Sequence, residues 1–148
     1  MARVTLLALA LLAGCRTHPL EDGTFTFAET GSPLRDDCGL AGQGVLGEGT
    51  LDTTGHLVTM ALTRPPGTLS GTYRYNLEEL LLDGQFVSYT TPVRGVDCLV
   101  QTAALHLETT TEDAAHFTGL GQLTYTSTRP EVCSCQYWFT FRATRVGP

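Results

Sequence analysis

Cys133–Arg145 reads CSCQYWFTFRATR. Cys133, Cys135, Tyr137, Phe139 and Phe141 fall on every second position, and Gln136, Trp138, Thr140 and Arg142 fill the positions between. A period of two puts the first set on one face of an extended strand and the second set on the other. The segment is expected to be the last strand of the chain.

Working back from that strand, the same alternation recurs in short runs about every dozen residues. Phe117–Thr126 aligns Phe117, Leu123 and Tyr125, and Cys98–Glu108 aligns Ala103, Leu105 and Leu107. Leu81–Thr91, Leu69–Tyr75, Leu57–Thr63, Val45–Leu51 and Thr24–Ala28 read as further strands. Turn residues separate them: Leu34–Gly44 after Pro33, Thr53-Thr54-Gly55, Arg64-Pro65-Pro66-Gly67 and Thr109–Ala115. Asn76–Leu80 is expected as a single helical turn or a loop. These runs add up to an all-β chain of about eight antiparallel strands in a meander, without crossover helices. Such a meander closes into a barrel or splits into a sandwich. Gly47, Gly49, Gly119 and Gly121 fall inside the expected strands and mark bends, which favours the barrel.

Composition sets the outer limits. The chain has 148 residues, 42% hydrophobic and 16% charged, with a formal net charge of −6. That is one domain of ordinary globular make-up. Nine basic residues against fifteen acidic ones leave no positive surface for nucleic acid. All the basic residues are Arg, and neither Lys nor Ile occurs, a bias we attribute to a GC-rich genome.

The chain starts MARVTLLALALLAGC. Arg3 gives a positive start, Val4–Ala13 an apolar run and Ala13-Gly14 a small-residue end, the layout of an export signal. The run is shorter than the roughly 20 apolar residues of a spanning helix. Leu12-Ala13-Gly14-Cys15 resembles the lipobox of bacterial lipoproteins. That resemblance implies that residues 1–14 are a removed signal peptide. It also implies that Cys15 carries diacylglycerol (with palmitate-type chains) and starts the mature chain. Two or more acyl chains hold a protein stably on a membrane, at about 0.8 kcal/mol per buried CH₂. Arg16, where an Asp would retain an enterobacterial lipoprotein in the inner membrane, favours the outer membrane. Residues 15–22 read as a tether containing Pro19, and residues 23–148 as the single β domain.

Four cysteines remain: Cys38, Cys98, Cys133 and Cys135. In an exported chain an even count reads as two disulfides. A Cys133–Cys135 ring would be very tight, so Cys38 and Cys98 are each expected to take one of that pair. Which takes which stays open. The C-x-C spacing does not match the C-x₂-C of zinc sites.

No catalytic motif is present: no Gly-x-Ser-x-Gly, no H-E-x-x-H, no phosphate or dinucleotide loop. Asp36-Asp37 and Glu78-Glu79 are acid pairs read as solvated. His106, Glu108 and His116 are read as surface residues and not as a metal site. Trp138 and Arg142 share the polar face of the last strand and fit a binding hot spot. Tyr73, Tyr75 and Tyr125 would line a cavity if the barrel were hollow. The meander is similar to calycin-type barrels, without the lipocalin Gly-x-Trp. Small lipoproteins that inhibit lysozyme share this architecture and a Ser-Gly-x-x-Tyr motif. Ser70-Gly71-Thr72-Tyr73 is one residue shorter than that motif, and the Lys of those proteins has no counterpart here. The expected role is non-catalytic: interaction with a protein or glycan of the envelope, or a structural role. A small-ligand carrier and an inhibitor of an envelope hydrolase or protease are the alternatives. Neither a cofactor nor a metal is expected.

Overall fold

The computed structural model describes residues 20–148. Eight strands follow in chain order: β1 (Gly23–Asp36), β2 (Gly49–Thr54), β3 (Leu57–Leu62), β4 (Gly67–Arg74), β5 (Glu79–Val93), β6 (Val96–Thr111), β7 (His116–Thr126) and β8 (Cys135–Gly147). A short helix, α1 (Pro130–Cys133), enters β8. Every strand pairs antiparallel with the next, and β1 also pairs with β8, so the sheet closes on itself. Closure leaves neither β1 nor β8 as a terminal edge strand. Inward positions follow the period of two: Phe139 and Phe141 of β8, Leu105 and Leu107 of β6, and Met60 of β3 are all buried. Side chains fill the interior; Tyr73, Tyr137, Phe25 and Phe117 are among the largest fully buried groups.

The pairings are unequal. β5 and β6 run together from Glu79↔Thr110 to Val93↔Val96. They turn at Arg94 (φ +50°) and Gly95 (φ +77°), a type I′ hairpin that needs positive φ at both positions. β1 and β2 share only Gly23–Phe25 against Gly49–Leu51. The segment 37–48 packs across this narrow seam and buries Leu40, Val45 and Leu46. Glu29 ties it down. Its carboxylate accepts the Tyr137 hydroxyl at 2.6 Å and the Val45 N–H at 3.2 Å. Burial first, then the Glu29 carboxylate, push the Tyr137 phenol above its ordinary value. Asp36 fixes the start of the same segment by accepting the N–H groups of Leu40 and Ala41, at 2.9 and 3.0 Å.

Both disulfides lie at one end of the ring. Cys38 joins Cys135, and Cys98 joins Cys133. The β5–β6 turn docks at the same end. Arg94 donates its N–H to the Cys38 carbonyl at 2.7 Å, and its guanidinium to the carbonyls of Glu131 and Val132. Past Ser88 (φ +54°) the buried side of β5 changes from even to odd positions: Phe86 is buried before it and Val93 after it. The arm thus bends over the mouth of the ring. This capped end contrasts with the other, where three short connections join β2–β3, β4–β5 and β6–β7.

Several expectations change in detail. Cys133 sits in α1 and not in the closing strand, so it and Cys135 do not share a strand face. Asn76 and Leu77 form a turn, and β5 starts at Glu79; no helical turn forms there. β1 continues through Pro33 to Asp36, into the stretch expected as a loop, while Val45–Glu48 packs as loop and leaves Gly47 outside any strand. The signal peptide and Cys15 lie outside the described residues. The end of the expected tether is docked: Leu20 is buried, Glu21 donates its N–H to the Ala114 carbonyl, and Arg145 pairs with Glu21 at 3.3 Å.

Candidate functional site

Register places one polar position from each strand in a single row around the outside of the ring. The partners run Asp52↔Thr59↔Ser70↔Asp83↔His106↔Gln122↔Trp138↔Arg35. Five consecutive positions of this row, Asp83, His106, Gln122, Trp138 and Arg35, put two charged groups, an imidazole, an amide and an indole side by side. With strands about 4.8 Å apart, these five positions cover about 19 Å. They form a continuous strip from residues spread over β5, β6, β7, β8 and β1.

Local contacts hold the strip in place. His106 Nδ1 lies 2.7 Å from Asp83 Oδ1. The Arg35 guanidinium carbon lies 5.8 Å from the centre of the half-buried Trp138 ring, within cation–π range. Arg35 also donates to Asp37 at 2.6 Å and to Gln136 at 2.5 Å, so its fork is fixed in orientation. A change of register in β1 between Thr30 and Arg35 brings Arg35 opposite Trp138. Beside His106 the outer face sinks into a depression of about 290 Å³, because Ala104 is small where Asp83, Gln85, Gln122 and Thr124 stand higher. That volume is close to the lower end of ligand-sized clefts. A wider groove of about 630 Å³ adjoins it through Thr124 and reaches Arg35 and Arg94. The strip therefore offers an aromatic ring, a fixed cation, an acid–imidazole pair and an amide around a shallow hollow. These groups suit recognition by stacking and hydrogen bonds.

The residues singled out from sequence separate into different places. Trp138 and Arg142 do share the outer face of β8, but Arg142 pairs with Glu112 at 2.8 Å, and Arg35 is the partner of Trp138. The three tyrosines do not gather. Tyr73 and Tyr75 meet edge to face at 5.0 Å near the hairpin end, and Tyr125 packs against Tyr89 near the capped end. His116 belongs to Asp113 at 2.8 Å, away from His106 and Glu108. The bonds from Ala115 N–H and from His116 hold the Asp113 carboxyl below its ordinary value. Neither acid pair converges on a shared target: Asp36 caps the 37–48 segment, Asp37 holds Arg35, and Glu79 pairs with Arg74 at 3.4 Å. Among the described residues no three of His, Cys, Asp and Glu gather as a metal site. Arg35, Asp83 and Gln122 were not legible as site residues, because only the register across strands makes them neighbours.

Comparison with protein-family models, with curated proteins and with solved structures finds no match for this chain.

Proposed function

We propose that the chain is a lipid-anchored cell-envelope protein of the outer membrane. In this reading it does no catalysis and binds a protein or glycan partner through the outer strip. The observation that carries the reading is the single register row Asp83–His106–Gln122–Trp138–Arg35 with its hollow at Ala104. A half-buried Trp held by a cation is the side-chain type that dominates binding energy at interfaces. An interior filled by Tyr73, Tyr137 and the phenylalanines supports a surface role over that of a carrier. The 37–48 segment lies down on the ring, with Leu40, Val45 and Leu46 buried, and so lends little support to a projecting inhibitory loop. The anchor rests on Leu12-Ala13-Gly14-Cys15, and the exported state on the two disulfides.

Two measurements test this. A photocrosslinker at Gln122, in intact envelopes, is expected to trap one defined partner, and Trp138→Ala should abolish the product. A crosslinker at Thr59, in the same row on the far side, is expected to trap none. Equal products from both positions would remove the strip as the binding face. Cys15→Ser is expected to release the protein from membranes, and continued membrane fractionation would end the anchor reading.

A further inference from the structure

A second feature lies at the mouth of the capped end. The β4–β5 pairing stops at Ser70↔Asp83, while β5 stays paired to β6 as far as Val93↔Val96. In a type I′ two-residue hairpin the residues flanking the turn form a hydrogen-bonded pair, and bonded and non-bonded pairs then alternate along the ladder. Counting from Val93↔Val96, Thr90↔Leu99 is a non-bonded pair. The Thr90 N–H and C=O therefore point away from β6, to the side that β4 has left. Pro92↔Asp97 belongs to the same set, so the missing N–H of Pro92 takes nothing from the β6 ladder. No described strand pairs with β5 there, and the Thr90 groups form a short open edge.

A pocket of about 130 Å³ opens beside this edge, lined by Tyr89 and Thr91 of β5 together with Tyr125, Gln43, Val45 and Arg64. Arg64 is its one cation, and its lining holds no acidic residue, although the whole chain carries −6. Among the described residues Arg64 has no ion-pair partner. The Tyr89 hydroxyl is buried and makes no hydrogen bond of normal geometry. Burial first, then the Tyr125 hydroxyl, push its pKa far up, so the group stays protonated. The pocket thus combines an exposed cation with hydrogen-bond donors next to a strand edge that no described strand covers.

We propose that this edge and pocket bind an extended peptide segment that bears a carboxylate. The peptide backbone pairs with the Thr90 N–H and C=O, and the carboxylate lies with the Arg64 guanidinium and the Tyr89 hydroxyl. Strand addition supplies affinity through main-chain bonds, and a pocket beside the edge supplies selectivity. None of the outer-strip residues lines this pocket, so the inference stands apart from the proposed function.

The test uses the full chain in detergent and three pools of random short peptides. One pool has free C-termini, one is amidated and lacks acids, and one is amidated with a single internal glutamate. Amide exchange at Thr90 and fluorescence anisotropy are read together. Protection of Thr90 is expected with at least one carboxylate-bearing pool. The free-terminus pool alone would identify a chain end as the source, and the glutamate pool an acidic side chain. Arg64→Gln and Thr90→Pro should each weaken binding about tenfold, the range of one charged or one paired backbone interaction. Arg64 is exposed and outside the core, so Arg64→Gln keeps the test valid even if Thr90→Pro fails to fold. Equal binding of the neutral pool, equal binding by Arg64→Gln, or no protection of Thr90 with any pool would overturn the proposal.

Discussion

The two ends of the ring are held by different physics. At the capped end, Cys38–Cys135 and Cys98–Cys133 cross-link segments 97 and 35 residues apart in sequence. The bent β5–β6 arm, α1 and the 37–48 segment all meet there. The hairpin end has no cross-link among the described residues. Tyr75 packs edge to face on Tyr73 and on His56, at 5.0 and 4.9 Å, and its hydroxyl donates to the Gly55 carbonyl at 3.0 Å. Surface pairs such as Arg142–Glu112 and His116–Asp113 surround that end. The difference follows from backbone shape. Tight turns between adjacent strands satisfy their own hydrogen bonds locally. The narrow β1–β2 seam and the arm past Asp83 lack a neighbouring strand, and covalent closure compensates for the missing ladder.

Removing the cross-links of the capped end has the largest expected effect. Replacing both Cys38 and Cys135 with Ser is expected to cost about 3–5 kcal/mol in denaturant unfolding, since the bridge closes a long loop. The Cys98–Cys133 pair closes a shorter one and should cost somewhat less. Costs near zero for both would show that the capped end is held by packing alone. Next in size is Glu29→Ala. It leaves the buried Tyr137 hydroxyl and the Val45 N–H without their acceptor and should cost about 1–3 kcal/mol. Hydrogen exchange should rise first in residues 40–46 and not at the hairpin end. Uniform loss of protection would contradict a local role. Tyr75→Phe at the hairpin end removes one hydrogen bond to Gly55 and should cost about 0.5–1.5 kcal/mol. An effect as large as that of Glu29→Ala would reverse the ranking of the two ends.

A pH titration sharpens the same contrast with a smaller effect. Burial raises the pKa of Tyr73, Tyr89 and Tyr137, so the folded state holds these phenol protons more tightly than the unfolded state does. Stability from this source is full below the ordinary phenol value of 10.0 and falls as pH rises beyond it. Tyr89 and Tyr137 lie toward the capped end. Tyr89→Phe should therefore flatten the alkaline loss, read as the unfolding midpoint against pH. An unchanged slope would mean that Tyr89 ionises as freely folded as unfolded.

Much of the fold was legible because the period of two is strong where one face is buried. In β8 the residues Tyr137, Phe139 and Phe141 all point inward as their spacing requires. The participation of Cys38 and Cys98 in bridges to Cys133 and Cys135 followed from the strain of a three-residue ring. Their partner choice did not, because α1 turns Cys133 out of the strand toward β6. The extension of β1 to Asp36 was hidden by Pro33, which removes a donor but falls in the irregular stretch between Thr30 and Arg35. The candidate site was half visible. Trp138 stood out as a large ring on a polar face, but Arg35 lies 103 positions earlier and reaches it only through ring closure and a register change in β1. No local pattern carries that information, since strand register is a property of the assembled sheet.

The proposed lipid anchor is tested most directly, together with the two disulfides, by the intact mass of the protein purified from the cells that make it. The expected species is a chain beginning at Cys15, heavier by its diacylglyceryl and acyl groups and lighter by the four hydrogens of two disulfides. A chain that still begins at Met1, carries no lipid and holds four free thiols in the β domain would contradict it.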